Sequence, residues 1–356
     1  MSGGVDSSTV AALLKKEGFD LVGITMQVWP QERFDDEIAD FGGCCSLAAV
    51  DDARRVAESL EIPHYTLNFR DIFREKVIDD FLAQYSAGKT PNPCIRCNQF
   101  IKFEALMAKA MAIDCDFLAT GHYANIRHDA SLKRFTLSKG ADASKDQSYF
   151  LYTMTQDQLK QTMFPLGEYK KTETRMLAKQ FELPVADKKE SQEICFVPDD
   201  NYAEYIKKEC PDAAVPGEIT DKEGNVIGAH QGIIYYTCGQ RKGLGISHEK
   251  PLYVIEIDKE SNRLIVGEEE DLYGDKFTAG EINCLAFKEL PEEFRADVKI
   301  RYNSEAVPST LRRVNKNKLE VSLDKPKKAI TPGQAAVFYD GDKVLGGGTI
   351  EKIGAH

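Results

Sequence analysis

Seven residues near the start of the chain constrain it more than anything that follows. Ser2-Gly3-Gly4-Val5-Asp6-Ser7-Ser8 runs directly into an apolar-periodic stretch from Thr9 to Lys16, a pattern that predicts a glycine turn feeding a helix. Its first-turn amides and hydroxyls are expected to point at one spot. Peptide N–H groups at a helix start carry roughly half a positive charge, and glycines let the backbone close on a ligand with no Cβ in the way. The segment therefore reads as a cradle for pyrophosphate. Asp6 would either orient magnesium on the phosphates or cap the helix. No lysine follows the glycines, which excludes the G-x-x-x-x-G-K-[ST] phosphate loop. A flexible Gly-Gly tag would leave Asp6-Ser7-Ser8 unexplained.

S-G-G-x-D-S resembles the loop of the PP-loop ATP pyrophosphatases, which cut ATP between the α and β phosphates to adenylate a substrate. In that fold a buried parallel strand precedes the loop. Here the loop opens at Met1, so the sequence reads as lacking that strand, with consequences expected for nucleotide affinity and sheet stability.

Between Ser7 and Phe117 apolar strands alternate with amphipathic helices. Leu21 to Val28 suits a strand buried on both faces, Leu47 to Leu60 a helix, and His64 to Leu67 a short strand. Helices follow at Asp71 to Tyr85 and Gln99 to Met111, then a strand at Phe117 to Thr120 with Gly121 and His122 at its end. This order predicts an α/β, doubly wound parallel sheet with ligands at the carboxyl ends of its strands. Beyond about Asp199 the composition shifts. Short β-like stretches are punctuated by Pro216-Gly217, Gly224-Asn225 and the basic, glycine-rich Gly239 to Gly245, and from about Phe277 β-branched alternation dominates. Three domains are expected: 1–200, a nucleotide-binding catalytic domain; 201–275, a small mixed or β-rich central domain; and 276–356, a terminal β-barrel.

A net charge of −11 argues against a nucleic-acid partner, because phosphate contacts demand Lys and Arg. The charge is uneven, however. Lys299 to Lys328 carries 9 basic residues against 3 acidic ones, which fits a local RNA-binding face or a solvated β-surface. No apolar run approaches the roughly 18 residues that span a bilayer, and no signal-peptide pattern opens the chain, so cytoplasmic residence is expected.

Nine cysteines in such a chain read as thiols for chemistry or metal rather than a disulfide framework. Thr90-Pro91-Asn92-Pro93-Cys94-Ile95-Arg96-Cys97-Asn98 delivers C-x-x-C to the mouth of the helix expected from Gln99, where the helix N-terminus and Arg96 favour thiolate. The competing reading is half of a zinc site completed by Cys44-Cys45, although adjacent cysteines do not easily share one tetrahedral ion. Cys195, in Ser191-Gln192-Glu193-Ile194-Cys195-Phe196, would on its own be an ordinary buried cysteine.

These motifs occur in one order with Ala119-Thr120-Gly121-His122-Tyr123, Lys145-Asp146-Gln147-Ser148-Tyr149-Phe150, Gly239-Gln240-Arg241-Lys242-Gly243-Leu244-Gly245 and Thr331-Pro332-Gly333-Gln334-Ala335. The set is similar, over essentially the whole chain, to the bacterial tRNA-specific 2-thiouridylases, the MnmA/TrmU family. The resemblance implies that ATP adenylates O2 of a wobble uridine and that sulfur then replaces the activated oxygen. It casts Cys195 as the persulfide carrier, fed by a sulfur-donor protein such as a cysteine desulfurase or a sulfur relay. Cys97 is then the second thiol, which closes a disulfide with Cys195. That bridge would enclose a 98-residue loop, worth about 4.7 kcal/mol on chain entropy, so turnover would need an external reductant.

Many family members carry Asp where this chain has Cys94. Cys94 is then a spare thiol or, with Cys97 and Cys195, a ligand of an iron-sulfur cluster with one open iron. The resemblance further places ATP, with magnesium, on Met1, Ser2, Gly3, Gly4, Val5, Asp6, Ser7, Met26 and Gly121. It places tRNA on Asn92, Pro93, Cys94, His122, Lys145, Asp146, Gln147, Arg301, Tyr302 and Gln334. Most of these have a plainer reading: Met26 as core, His122 as a hydrogen-bonded structural residue, Lys145-Asp146-Gln147 as a solvated helix start. Cys44, Cys45, Cys115, Cys210, Cys238 and Cys284 match no catalytic position and read as structural. Another PP-loop sulfurtransferase or ligase, and a non-catalytic metal-binding module that docks on RNA, are the competing functions.

Overall fold

The computed structural model describes residues 1–29, 47–189, 194–197 and 201–353. Cys44, Cys45 and Ser191 to Glu193 lie outside the described residues. The chain divides into two compact units, one formed from residues within 1–77, 94–200 and 342–344, the other from 78–93, 201–341 and 345–356.

The first unit is the α/β part. Helix α1 (Val5–Lys16) leaves the glycine turn and buries Val10, Ala12, Leu13 and Leu14, one apolar stripe of its surface. Strand β1 (Gly23–Gln27), helix α2 (Leu47–Ser59) and strand β2 (His64–Asn68) follow, with β1 and β2 parallel and Met26 opposite Leu67. Met1 lies along β1: its amino group donates to the Ile24 carbonyl, and Thr25 Oγ1 donates to the Met1 carbonyl at 2.7 Å. After α3 (Arg70–Phe73) the chain passes through α4 (Asp79–Ser86), which belongs to the second unit, and then α5 (Pro93–Arg96), a π-helical stretch (Cys97–Leu106), α6 (Met107–Met111) and β3 (Leu118–Ala119). An unforeseen hairpin of β4 (Ala124–Asp129) and β5 (Arg134–Lys139) is next, then α7 (Gln156–Lys160), β6 (Thr162–Met163), which pairs in parallel with β3, and α8 (Lys171–Gln180). The hairpin and α8 were passed over in the sequence: β4 and β5 carry only two apolar residues each, Ala124 with Ile126 and Phe135 with Leu137, and α8 is largely polar.

In the second unit, α9 (Tyr202–Glu209) packs on α4, with Tyr85 and Tyr202 rings stacked at 5.2 Å and Phe81 edge-on to Tyr205 at 6.4 Å. A four-stranded sheet follows in the order β8 (Val226–His230), β7 (Gly217–Thr220), β10 (Arg263–Gly267), β9 (Tyr253–Asp258). The last six strands are β11 (Tyr273–Cys284), β12 (Glu293–Lys299), β13 (Val307–Asn315), β14 (Lys318–Lys328), β15 (Ala335–Asp340) and β16 (Lys343–Ile353). They run in the order β11-β14-β13-β12-β15-β16, and β16 pairs back onto β11 to close a barrel around Phe277, Val298, Leu311, Val321, Phe338 and Ile350. Closure removes the sheet edges that an open six-stranded sheet would expose.

Candidate active site

Gly4 is the N-cap of α1, in extended conformation, and among the described residues there is no side-chain cap hydrogen bond at this helix start. The first-turn amides thus form the kind of uncapped, electropositive end that binds phosphate oxygens. Gly3 is required twice over. Its φ is +64°, and a Cβ there would lie 2.1 Å from the Ala49 carbonyl oxygen of α2. The hydroxyls behave differently from expectation. Ser8 Oγ and Thr9 Oγ1 turn back onto the carbonyls of Gly4 and Val5 at 2.9 and 2.8 Å, the usual fate of buried hydroxyls inside a helix. Ser2 and Ser7 stay at the loop, their hydroxyls 3.1 Å apart.

Asp6 is paired with a lysine rather than capping the helix. Lys171 Nζ, from the first residue of α8, donates to its two oxygens at 2.6 and 2.8 Å, and Tyr123 Oη donates to Oδ1 at 2.8 Å. Gly121 packs on the same turn. A Cβ on it would sit 3.0 Å from Asp6 Cβ and from the Ser7 amide, so the close approach it permits is to the loop itself. Lys188 Nζ donates to the Gly3 carbonyl at 3.1 Å and to Asp52 Oδ2 at 2.5 Å, which ties the segment ahead of Cys195 to the loop. Cys195 is half-buried, and the next side chain, Phe196, is wholly buried with its ring edge-on to Phe73 at 5.8 Å.

The helix expected from Gln99 begins at Pro93 instead. Proline at the first helical position has a preset φ and needs no N–H partner there. As a result exposed Cys94 lies in the first turn, whereas half-buried Cys97 lies past it, where the influence of the helix end has fallen off. Asn98 Nδ2 donates to the Phe150 carbonyl at 3.2 Å, joining the cysteine motif to Lys145–Phe150, while its Oδ1 is buried without a hydrogen-bond partner. Among the described residues no group of three or more Cys, His, Asp or Glu is gathered to hold a metal ion, so Cys94, Cys97 and Cys195 do not present a preformed cluster site.

Several residues expected at RNA are engaged by protein. His122 is buried between Phe103 and Phe164. Lys102 Nζ lies 3.4 Å from its Nε2, and an ammonium group can only donate, so the ring is neutral and Nδ1–H donates to Thr120 Oγ1 at 2.7 Å. Burial, helped by Lys102, holds its pKa well below the ordinary 6.5. Asp146 is buried as well. It accepts from the amides of Gly140 and Ser148 and from the Ser148 hydroxyl, while Gln147 Oε1 accepts the Tyr123 amide at 3.0 Å. Lys145 is half-buried beside them.

In the second unit, Arg301 donates to the Ala329 carbonyl and, at 2.7 Å, to Thr331 Oγ1; Tyr302 lies under Lys299 Nζ at 5.3 Å. Gln334 Nε2 donates to the carbonyls of Thr90 and Pro91 at 2.9 and 3.4 Å, and the Thr90 amide donates to Pro332 at 2.9 Å. Thr331–Gln334 therefore clasps the segment that leads into Asn92, Pro93 and Cys94. Cys238 is buried, and burial pushes its thiol up to about 11, so it is inert at neutral pH. Lys171 and Thr174 went unread in the sequence, and Asn98 and Lys188 were given no role there. Their partners lie tens to nearly two hundred residues away, and no local pattern marks them.

Comparison with known proteins matches three family profiles in sequence order. These are the tRNA methyl transferase HUP domain over residues 1–199, the tRNA methyl transferase PRC-barrel domain over 203–268 and the aminomethyltransferase beta-barrel domain over 274–350. The tRNA-specific 2-thiouridylase MnmA 1 of Thermoanaerobacter sp. (strain X514) is 51% identical over 99% of this chain and 96% of its own length. The MnmA of Carboxydothermus hydrogenoformans is 50% identical over the same shares. A solved structure, the U34-tRNA thiolase NcsA from Methanococcus maripaludis with its [4Fe-4S] cluster, is 18% identical over 60% of this chain and 65% of that one. Its TM-score is 0.34, too slight a likeness to bear on the fold. Full-length identity near one half, with three domain profiles in register, settles the family: the chain belongs to the tRNA-specific 2-thiouridylases, the MnmA/TrmU family.

Proposed function

We propose that this chain is an ATP-dependent tRNA-uridine 2-sulfurtransferase acting on the wobble uridine in the cytoplasm. The observation that carries the reading is the glycine-capped start of α1, whose first-turn amides no side chain caps among the described residues, stitched through Asp6 and Gly121 to the Gly121-His122-Tyr123 strand end. ATP held there, with Met26 and Met1–Ser7 around it, would activate uridine O2 by adenylation and release pyrophosphate, turning a poor oxygen leaving group into AMP. The base must leave its stack to be reached, and Asn92, Pro93 and Cys94 are the residues assigned to receive it.

Cys195 then carries the sulfur as a persulfide supplied by a donor protein. Its terminal sulfur attacks C2, AMP departs, and Cys97 attacks the inner sulfur to close a disulfide that an external reductant reopens. Persulfide chemistry is preferred to a cluster because it needs only two thiols, Cys97 and Cys195, and a donor of sulfane sulfur. Of the RNA contacts, half-buried Lys145 and Tyr302 suit phosphate and stacking. The engaged side chains of His122, Asp146, Gln147, Arg301 and Gln334 are assigned to holding the segments that touch RNA. The test is thiouridine in tRNA from a strain lacking the gene, resolved on a mercury-containing gel. Restoration by the wild-type chain supports the reading, and an unchanged thiouridine band in the deletion strain overturns it.

A further inference from the structure

The loop Ser2–Ser8 has no lysine of its own, and the carboxylate of Asp6 stands beside the amides that are to receive a polyanion. Left uncompensated, that negative charge would repel a triphosphate at close range, where a partly buried site screens poorly. The fold brings a cation from 165 residues downstream. Lys171, 8% exposed, donates to both Asp6 oxygens at 2.6 and 2.8 Å and lies 5.6 Å from the Tyr123 ring centroid. Its backbone is fixed independently, because the Lys171 amide donates to Asp142 Oδ2 at 2.9 Å, and Tyr123 Oη lies 3.0 Å from Thr174 Oγ1 one turn further along α8. A buried lysine held this tightly is not a solvated surface charge.

We infer that Lys171 is the positioning residue of the nucleotide loop: by neutralising Asp6 it makes the amide cradle of α1 receptive to the pyrophosphate end of a nucleoside triphosphate. The inference rests on the ATP-binding reading above and gives Asp6 a role other than holding magnesium. Lys171 works through Asp6 and through the charge of the loop, and it is not assigned a bond to substrate.

The experiment is calorimetric titration of the full chain, without tRNA, with inorganic pyrophosphate and separately with adenosine. The proteins are wild type, Lys171→Met, Lys171→Arg and the double variant Asp6→Asn/Lys171→Met. Lys171→Met, which strands the carboxylate, is expected to weaken pyrophosphate binding about tenfold or more and to leave adenosine within about twofold. Lys171→Arg should recover most of the loss. The double variant, with no charge left uncompensated, should bind pyrophosphate within about threefold of wild type, and it carries the test if Lys171→Met does not fold. Pyrophosphate binding unchanged in Lys171→Met, an equal loss of adenosine, or a tenfold loss that persists in the double variant would each overturn the inference. A wild-type chain that binds neither probe would instead overturn the ATP-binding reading itself.

Discussion

The α/β unit and the barrel solve opposite problems. Around α1 the interior is polar: Asp6, Lys171, Ser8, Thr9, His122 and Asp146 are partly or fully buried, and each is hydrogen-bonded, Asp6 to a lysine 165 residues away and Ser8, Thr9, His122 and Asp146 to near neighbours in the chain. The barrel core is aliphatic and aromatic, and its charges form pairs on the outside, such as Arg295 with Asp324 and Arg312 with Glu293, more than two-fifths exposed on both sides. Exposed pairs contribute little to stability, whereas buried polar networks are costly to break and hold groups in fixed positions. The difference teaches where chemistry and scaffold reside. Reactivity is expected from the region that carries polar groups inward, and shape with a basic surface from the region that keeps them out.

That contrast can be broken in four places, beginning with the largest effect. Cys195→Ser should lower thiouridine formation by about a thousandfold or more while pyrophosphate release with ATP and tRNA continues, because the hydroxyl cannot carry sulfane sulfur. Thiolation assayed beside pyrophosphate release checks it, and a fully active variant removes Cys195 from the chemistry. In the barrel, Leu311→Ala truncates a wholly buried side chain and should destabilise by about 2–5 kcal/mol, read by denaturant unfolding, with activity per folded molecule little changed.

His122 gives a pH test. Its pKa in the folded chain lies well below the ordinary 6.5, so the unfolded chain takes up a proton first as pH falls. The stability it contributes is complete above about 6.5 and is lost as pH falls from there through the folded value. His122→Gln should flatten that acid limb in thermal melts at successive pH values, and an unchanged slope would mean that the ring is not held neutral. Smallest of all, Arg295→Ala should change stability by less than about 1 kcal/mol. A larger loss would show that the outer charges of the barrel support its fold.

Much of this molecule was legible before any coordinates. Glycine, proline and hydrophobic period act locally, so the turn into α1, the strands β1 and β2, the helix α2 and the alternating strands of the barrel all follow from a few neighbouring residues. Even the start of the cysteine helix was written in Pro93, although the expectation placed it six residues late. The hairpin β4–β5 was passed over although Phe135 and Leu137 alternate with polar residues, because two apolar residues per strand make a weak signal.

Motif order identified which segments matter, yet not what they do to one another. That Asn98 holds the Phe150 carbonyl, that Gln334 holds those of Thr90 and Pro91, and that His122 is enclosed rather than presented are all contacts between residues distant in sequence. Sequence alone identified the family and marked the glycine turn proposed as an anion cradle and the two cysteines on which the chemistry is proposed to run, since motifs depend on residue type and order along the chain. Only the tertiary structure decided which charged group stands beside that turn. A carboxylate and the lysine that neutralises it, 165 residues apart, interact through space at 2.6 Å, and electrostatic energy falls with distance in space rather than along the chain.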